Sequence, residues 1–251
     1  MKTLRIVLAA ILLAGAETAV RPARASDVGD ASLRASWLEG VAVPGLTLGA
    51  DKERFYRAIL LPGGAKRNIE CETVAAYFGY PVVPWLRVFA TAGYAQVKPA
   101  PNADWNDGIL RASAGAGASL WRMEVPAPEF ISGAVSIRAA AEYGFASYDQ
   151  NRESFRWGDT TISATLHYEM LARQDAGRAA LPHSLDLYAG PIAQFVRGRQ
   201  TVGGVERSFE EARVTGIATG ASLFLTPSLS LGAHLRFFDT FSWRAGLRLT
   251  F

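Results

Sequence analysis

Three histidines are the residues of this chain best suited to acid–base chemistry near neutral pH: His167, His183 and His234. His167 and Glu169 are two residues apart, so on a β-strand both side chains point to the same face. His183 and Ser184 are adjacent, so on a strand they point to opposite faces and do not form a base–nucleophile pair with each other. No serine stands out beside His167. We therefore assign no catalytic residue and keep a barrel enzyme acting on lipid or peptide as an alternative.

A larger set of polar residues recurs at alternate positions within otherwise apolar segments. Its members are Arg87, Arg111, Arg138, Glu142, His167, Glu169, Asp186, Gln194, His234, Arg236, Arg244 and Arg248. On strands, this alternation places them opposite the apolar side chains. Opposite charges that share an enclosed face can pair and hydrogen-bond. The set predicts a polar network that fills the interior of a closed sheet, and a narrow path for ions or small solutes is the alternative.

An arginine cluster marks one polar segment near the carboxyl-terminal third of the chain. It consists of Arg197, Arg199, Arg207 and Arg213. Guanidinium groups bind phosphate in a bidentate manner, which makes Arg197, Arg199 and Arg207 candidate contacts for lipopolysaccharide. The same segment contains the acidic residues Glu206, Glu210 and Glu211. Because these neutralise much of the cluster, a solvated loop is the alternative.

The elements that must position these residues are β-strands. In the last eleven residues, apolar side chains occupy every second position: Phe241, Trp243, Ala245, Leu247, Leu249 and Phe251. Comparable alternation occurs over 86–94, 110–120, 135–145, 161–170 and 229–237, and weaker strands are predicted near 53–61, 69–80, 183–197 and 210–225. The pattern predicts about ten strands, with eight or twelve as alternatives.

The closing segment resembles the last strand of bacterial outer-membrane β-barrels, and the whole pattern is similar to small OmpA-like and opacity-type barrels. This resemblance implies an all-β, closed, antiparallel, up-and-down transmembrane barrel. It also implies that the barrel-assembly machinery reads a carboxyl-terminal signal formed by Trp243, Leu247, Leu249 and Phe251. Short turns at 80–85 and 225–229 are then periplasmic, and the polar loops at 98–107, 148–155 and 197–209 are external. An omptin-like protease would have ten strands too, but Asp149, Asp159 and Asp239 have no histidine beside them at the outer rim.

Aromatic residues near the predicted strand ends indicate two interfacial girdles. The outer girdle would contain Tyr94, Tyr143, Phe145, Trp157, Phe237 and Trp243, and the inner one Tyr80, Phe224 and Phe251.

The amino terminus has the form of a secretory signal peptide, residues 1–25. Lys2 and Arg5 precede an apolar run, Ile6–Leu13, and Ala23-Arg-Ala25 supplies a cleavage site. This segment holds four of the 26 basic and one of the 23 acidic residues, leaving 22 of each. That balance argues against nucleic-acid binding, and the single cysteine, Cys71, excludes an intrachain disulfide and a multi-cysteine metal site.

The sequence predicts three parts: the signal peptide, a lead-in or plug segment at 26–52, and a barrel at 53–251. The predicted function is that of a non-enzymatic outer-membrane barrel with a structural or surface-interaction role and no cofactor. Its expected partners are outer-membrane lipid, lipopolysaccharide and the barrel-assembly machinery. The sequence does not indicate an oligomeric state.

Overall fold

A computed structural model describes residues 45–98, 108–125, 131–150, 153–172, 183–202, 204–226 and 228–251. The predicted signal peptide, most of the lead-in segment and most of the 98–107 loop lie outside these residues. The strands are β1 Thr47–Leu60, β2 Lys66–Val83, β3 Leu86–Lys98, β4 Ile109–Val125, β5 Ile131–Gln150, β6 Glu153–Ala172, β7 Ser184–Val202, β8 Val205–Glu211, β9 Thr215–Phe224, β10 Leu229–Phe237 and β11 Phe241–Thr250.

Ten of these strands form a closed antiparallel barrel, as predicted. Each strand pairs with its neighbour in the chain, except that β7 pairs with β9, and β1 closes the ring against β11. The closing ladder runs from Thr47 opposite Thr250 to Arg54 opposite Trp243. Closure satisfies the backbone groups that an open sheet edge would leave unpaired.

Two ends of the barrel are distinguished by their connections. We call the end that carries Phe251 the turn end, where β2 passes into β3 within a few residues. The opposite end, which we call the loop end, carries the turn between β1 and β2, where Leu61 N–H donates to Ala65 O at 2.9 Å. Gly63 and Gly64 have φ values of 91° and 80° there, a backbone conformation that favours glycine.

The first strand begins earlier than predicted, at Thr47 rather than at residue 53. Its buried side chains include those of Thr47, Asp51 and Glu53, whereas Lys52 and Arg54 are exposed on the outer face. These two cations pair outside with acidic groups of β2, Lys52 with Glu72 and Arg54 with Glu70 and Glu72. Charges on both faces hide the polar–apolar alternation, so the sequence pattern is lost over this stretch.

The structure contains an eleventh strand, which corrects two predictions made from the sequence. The predicted strand at 210–225 is divided into β8 and β9, and the predicted loop at 197–209 is largely a β7–β8 hairpin. The hairpin joins β7 to β1 at the loop end: Arg197–Val202 pair with β8, and Glu210 and Glu211 pair with Leu60 and Ile59. β8 therefore closes the wall beyond the ends of the shorter strands β9 to β11.

The outer face of the barrel carries large apolar side chains on every one of its ten strands. Exposed examples, one for each strand in barrel order, are Leu48, Phe78, Val88, Leu110, Ile137, Leu166, Leu187, Ile217, Leu231 and Leu247. Soluble monomers rarely expose an apolar surface that is continuous around the molecule. The pattern is the one expected of strands that face lipid.

Two members of the predicted girdles face inward instead. Trp157 is 4% exposed and Phe224 is 3% exposed. The reason is the two-residue period: Trp157 has the same parity as the buried Asp159 and Ser163, and Phe224 the same as the buried Ser222. By contrast, Tyr94, Tyr143, Phe145 and Phe237 are exposed.

Candidate functional site

The barrel interior is the candidate functional site, because the structure places the whole predicted polar set there. These side chains are buried or nearly so, and they come from β3, β4, β5, β6, β7, β10 and β11: Arg87, Arg111, Arg138, Glu142, His167, Glu169, Asp186, Gln194, His234, Arg236, Arg244 and Arg248. Each alternates along its strand with an apolar neighbour that points to the other face. Residues more than a hundred positions apart therefore meet across the barrel.

Glu53, which the sequence analysis did not select, is the centre of this network. Its Oε2 lies 3.0 Å from Arg111 Nη1 and 3.3 Å from Arg244 Nη2, and its Oε1 accepts from Arg236 Nη2. Glu142 supports the same group, with its Oε1 3.6 Å from Arg244 Nη2 and 2.6 Å from Ser113 Oγ. One carboxylate thus binds guanidinium groups from β4, β10 and β11.

A second ion pair crosses the seam between the first and last strands. Arg248 of β11 binds both carboxylate oxygens of Asp51 on β1, with Nη2 2.8 Å from Oδ2. The Arg248 guanidinium also lies 3.7 Å from the centroid of the Tyr77 ring, a cation–π contact. Together with the Glu53–Arg244 pair, these contacts join the two strands that close the barrel.

A hydroxyl–imidazole–carboxylate series forms another part of the interior. Thr165 Oγ1 is 2.9 Å from His167 Nε2, and His167 Nδ1 is 3.1 Å from Asp186 Oδ2, which also lies 3.3 Å from Arg138 Nη1. The order of groups is that of an acyl-transfer triad. Thr165, His167 and Asp186 are at most 1% exposed, however, so a substrate carbonyl has no approach to the hydroxyl in this conformation. The series acts here as a buried hydrogen-bonded network.

Stacked rings connect this series to β10. The His167 and Tyr188 rings are 4.8 Å apart and nearly parallel, and the Tyr188 and His234 rings are 5.9 Å apart. Tyr188 Oη is also 3.2 Å from His234 Nδ1. Two of the three histidines, His167 and His234, belong to the interior network. The third, His183, directly precedes β7 at the turn end.

Side chains fill most of the space in this polar layer. Two of the small cavities among the described residues have volumes of about 10 and 20 Å³, one beside Glu53 and Glu142 and the other beside His234 and Arg236. Such volumes hold about one water molecule each. This filling supports a network that blocks the barrel.

A separate apolar layer lies nearer the loop end. Its buried members are Phe55, Ile59, Ile69, Cys71, Ala95, Val97, Ile109, Ala146, Phe155, Trp157, Val196 and Phe209. The Phe155 ring is 5.3 Å from the Trp157 ring and 4.8 Å from that of Phe209 on β8. Alternation did not reveal this layer, because its residues belong to strand ends and to two segments predicted as loops. The interior is therefore occupied by two layers, one polar and one apolar.

The three arginines predicted to contact lipopolysaccharide lie on the β7–β8 hairpin, but not all on the same face of it. Arg199 lies opposite Ser208 and Arg197 opposite Glu210, so these arginines share the outer face. Arg207 lies opposite Gln200 and therefore points to the other face of the hairpin. Arg156 of β6 is directly opposite Arg199, so Arg156 rather than Arg207 shares the outer face with Arg197 and Arg199.

The predicted assembly signal lies on the outer face of the last strand. Leu247, Leu249 and Phe251 are exposed, Trp243 is half-buried, and Phe251 N–H donates to Leu46 O at 3.0 Å. Recognition of these residues by assembly machinery remains a prediction from the resemblance.

Within the described ranges, no helix is long and apolar enough to cross a bilayer. The same residues contain no group of three or more histidine, cysteine, aspartate or glutamate side chains suited to hold a metal ion.

No protein-family model and no curated protein matches this chain. Solved structures that are similar include the translocator domain of autotransporter NalP from Neisseria meningitidis, with 14% identity over 82% of this chain and 88% of that one and a TM-score of 0.35. The outer membrane protease OmpT from Escherichia coli has 10% identity over 82% and 94% of the two chains, with a TM-score of 0.30. OmpF of Salmonella typhi, in a complex with daunomycin, has 12% identity over 83% and 98%, with a TM-score of 0.16. At these identities and TM-scores, the similar structures do not indicate an activity for this chain.

The fold of this chain is that of an outer-membrane β-barrel. The closed ladder, the apolar outer face and the polar interior are the features that define this class of protein.

Proposed function

We propose that this protein is an integral barrel of the bacterial outer membrane, non-enzymatic, with a structural or surface-interaction role. The observation that carries the proposal is the contrast between the two faces of each strand. Apolar side chains cover the outside of the barrel, whereas the inside holds ion pairs such as Glu53–Arg236 and Asp51–Arg248. A lipid-facing arginine near the bilayer midplane costs about 2–4 kcal/mol, so only this orientation is favourable in a membrane.

The turn end is then periplasmic and the loop end faces outward. Short connections on one side and the β7–β8 hairpin on the other agree with the usual asymmetry of such barrels. Export through a cleaved signal peptide at 1–25 is part of this proposal, as is recognition of Trp243, Leu247, Leu249 and Phe251 by the assembly machinery.

Purified full-length protein, reconstituted into planar bilayers, tests the role of the interior. We expect a heat-modifiable band on gels and no stepwise conductance, because the polar and apolar layers both occupy the lumen. Stepwise conductance from a folded, heat-modifiable sample would instead support the alternative of a narrow-pore channel.

A Leu166→Arg variant tests whether lipid surrounds the barrel. Leu166 is 56% exposed near the middle of β6 and faces outward. We expect the substitution to reduce the free energy of unfolding in liposomes by about 2–4 kcal/mol, because a guanidinium would enter hydrocarbon. Urea-induced unfolding, followed by tryptophan fluorescence, measures the loss.

Val205→Arg is the matched control, since Val205 is equally exposed but lies on β8 beyond the apolar face of the ten-strand wall. Surface substitutions of this kind usually change stability by less than about 0.5 kcal/mol. Equal effects of the two arginines would contradict the membrane assignment.

A further inference from the structure

A groove lies on the outer wall at the loop end, where β5 to β8 meet the turn between β1 and β2. Its volume is about 680 Å³, and its lining includes Tyr143, Phe145, Arg156, Arg197 and Arg199. Gly158 contributes to its floor, because it lies between Phe145 on one side and Arg197 on the other in the strand register. A Cβ atom at Gly158 would be 2.8 Å from Tyr143 Oη, so the absent side chain leaves room for the phenol ring.

Three arginines from two strands line this groove. Arg156 and Arg199 are direct register partners on β6 and β7, and Arg197 is two residues away on the same face. Like charges directly opposite each other destabilise an antiparallel pair. An anion between these side chains would therefore be stabilising.

The acidic residues nearby compensate this charge only in part. Arg199 Nη1 is 3.0 Å from Glu206 Oε1, but the two side chains are 74% and 57% exposed, and exposed pairs of this kind contribute little. Glu210 lies opposite Arg197 in the register. Among the residues that the structure describes, no ion pair joins Arg197 or Arg156 to a carboxylate.

The groove also has an apolar side. Tyr143 and Phe145 are 57% and 47% exposed and lie on β5, next to the arginines and toward the apolar outer face of the barrel. A ligand that fits both sides must carry an anionic head and a hydrocarbon part. Arginine suits a phosphate head, because its planar group donates two parallel hydrogen bonds to phosphate oxygens.

We propose that this groove binds a phosphorylated lipid of the outer leaflet, of the lipid A type. Its phosphate contacts Arg156, Arg197 and Arg199, and an acyl chain packs against Phe145 and Tyr143. This site rests on the proposed location in the outer membrane, and it gives the loop end a defined lipid partner.

Thermal unfolding of the full-length protein in detergent, at increasing concentrations of bisphosphorylated lipid A, tests the proposal. We expect saturable stabilisation of the wild type, and an apparent affinity that is roughly tenfold weaker or more in an Arg156→Gln/Arg197→Gln/Arg199→Gln variant. Dephosphorylated lipid A should stabilise less than the phosphorylated form. Inorganic phosphate alone should have little effect, because it lacks the acyl chain.

Arg207→Gln is the control, since it removes one arginine of the same hairpin from the opposite face and should leave the affinity near that of the wild type. The proposal is overturned if the triple variant binds as well as the wild type, if Arg207→Gln weakens binding equally, or if dephosphorylated lipid A binds as tightly. Stabilisation by inorganic phosphate alone, at similar concentrations, would contradict a lipid ligand and would indicate a site for simple anions. Heat-modifiable migration of each variant reports the barrel separately, so failure of the groove is distinguishable from failure of the membrane assignment.

Discussion

Replacing Glu53 with Gln is expected to destabilise the folded barrel by about 3–5 kcal/mol, because it leaves several buried cations without their shared carboxylate. Glu53 contacts guanidinium groups of Arg111, Arg236 and Arg244, all in the interior. A neutral amide retains one acceptor but cannot balance three positive charges. Urea unfolding of the protein, folded in liposomes and followed by loss of heat-modifiable migration, measures the change.

Glu206→Gln is the matched control for this substitution. Glu206 also binds an arginine, Arg199, but the pair is exposed and single. Its loss should cost less than about 1 kcal/mol. If both substitutions cost the same, Glu53 would not be the centre of an energetically important network, and the interior would tolerate its charge without pairing.

Replacing Trp157 with Ala is expected to cost about 3–5 kcal/mol, since it removes the largest side chain of the apolar layer and leaves a cavity. Trp157 is 4% exposed and packs edge-to-face with Phe155, whose ring stacks on that of Phe209. Because Phe209 belongs to β8, we also expect the hairpin to loosen. Limited proteolysis near residues 203–208, together with urea unfolding, measures both effects.

Trp121→Ala provides the comparison, because Trp121 is 44% exposed on the outer face of β4. Lipid chains can fill the space that it vacates, so its loss should cost roughly half as much or less. A larger effect at Trp121 than at Trp157 would mean that the aromatic contacts with lipid outweigh the apolar layer in holding the barrel together.

The period of two in the sequence was sufficient to predict β-strands and the face of most residues. Hydrophobic alternation over ten-residue segments predicted about ten strands, and the resemblance to outer-membrane barrels implied that they close; the strand order and the β1–β11 ladder confirm both. The same period assigned residues such as Arg138 and His234 to the inside. Alternation is a local property, since it depends only on the geometry of one strand and on which side meets hydrocarbon.

The tertiary structure decided which of these residues meet, and where the pattern fails. Glu53 and Arg244 are 191 residues apart in the chain and pair only because the first and last strands close in one particular register. Thr165, His167 and Asp186 join for a similar reason, across the β6–β7 pair. Trp157, which was expected in the outer girdle, points into the barrel. The strand register places Arg156 of β6, rather than Arg207, beside Arg199. A sequence determines the two faces of a strand, but the opposing residue is set by the register and stagger of the closed sheet, which depend on all strands together.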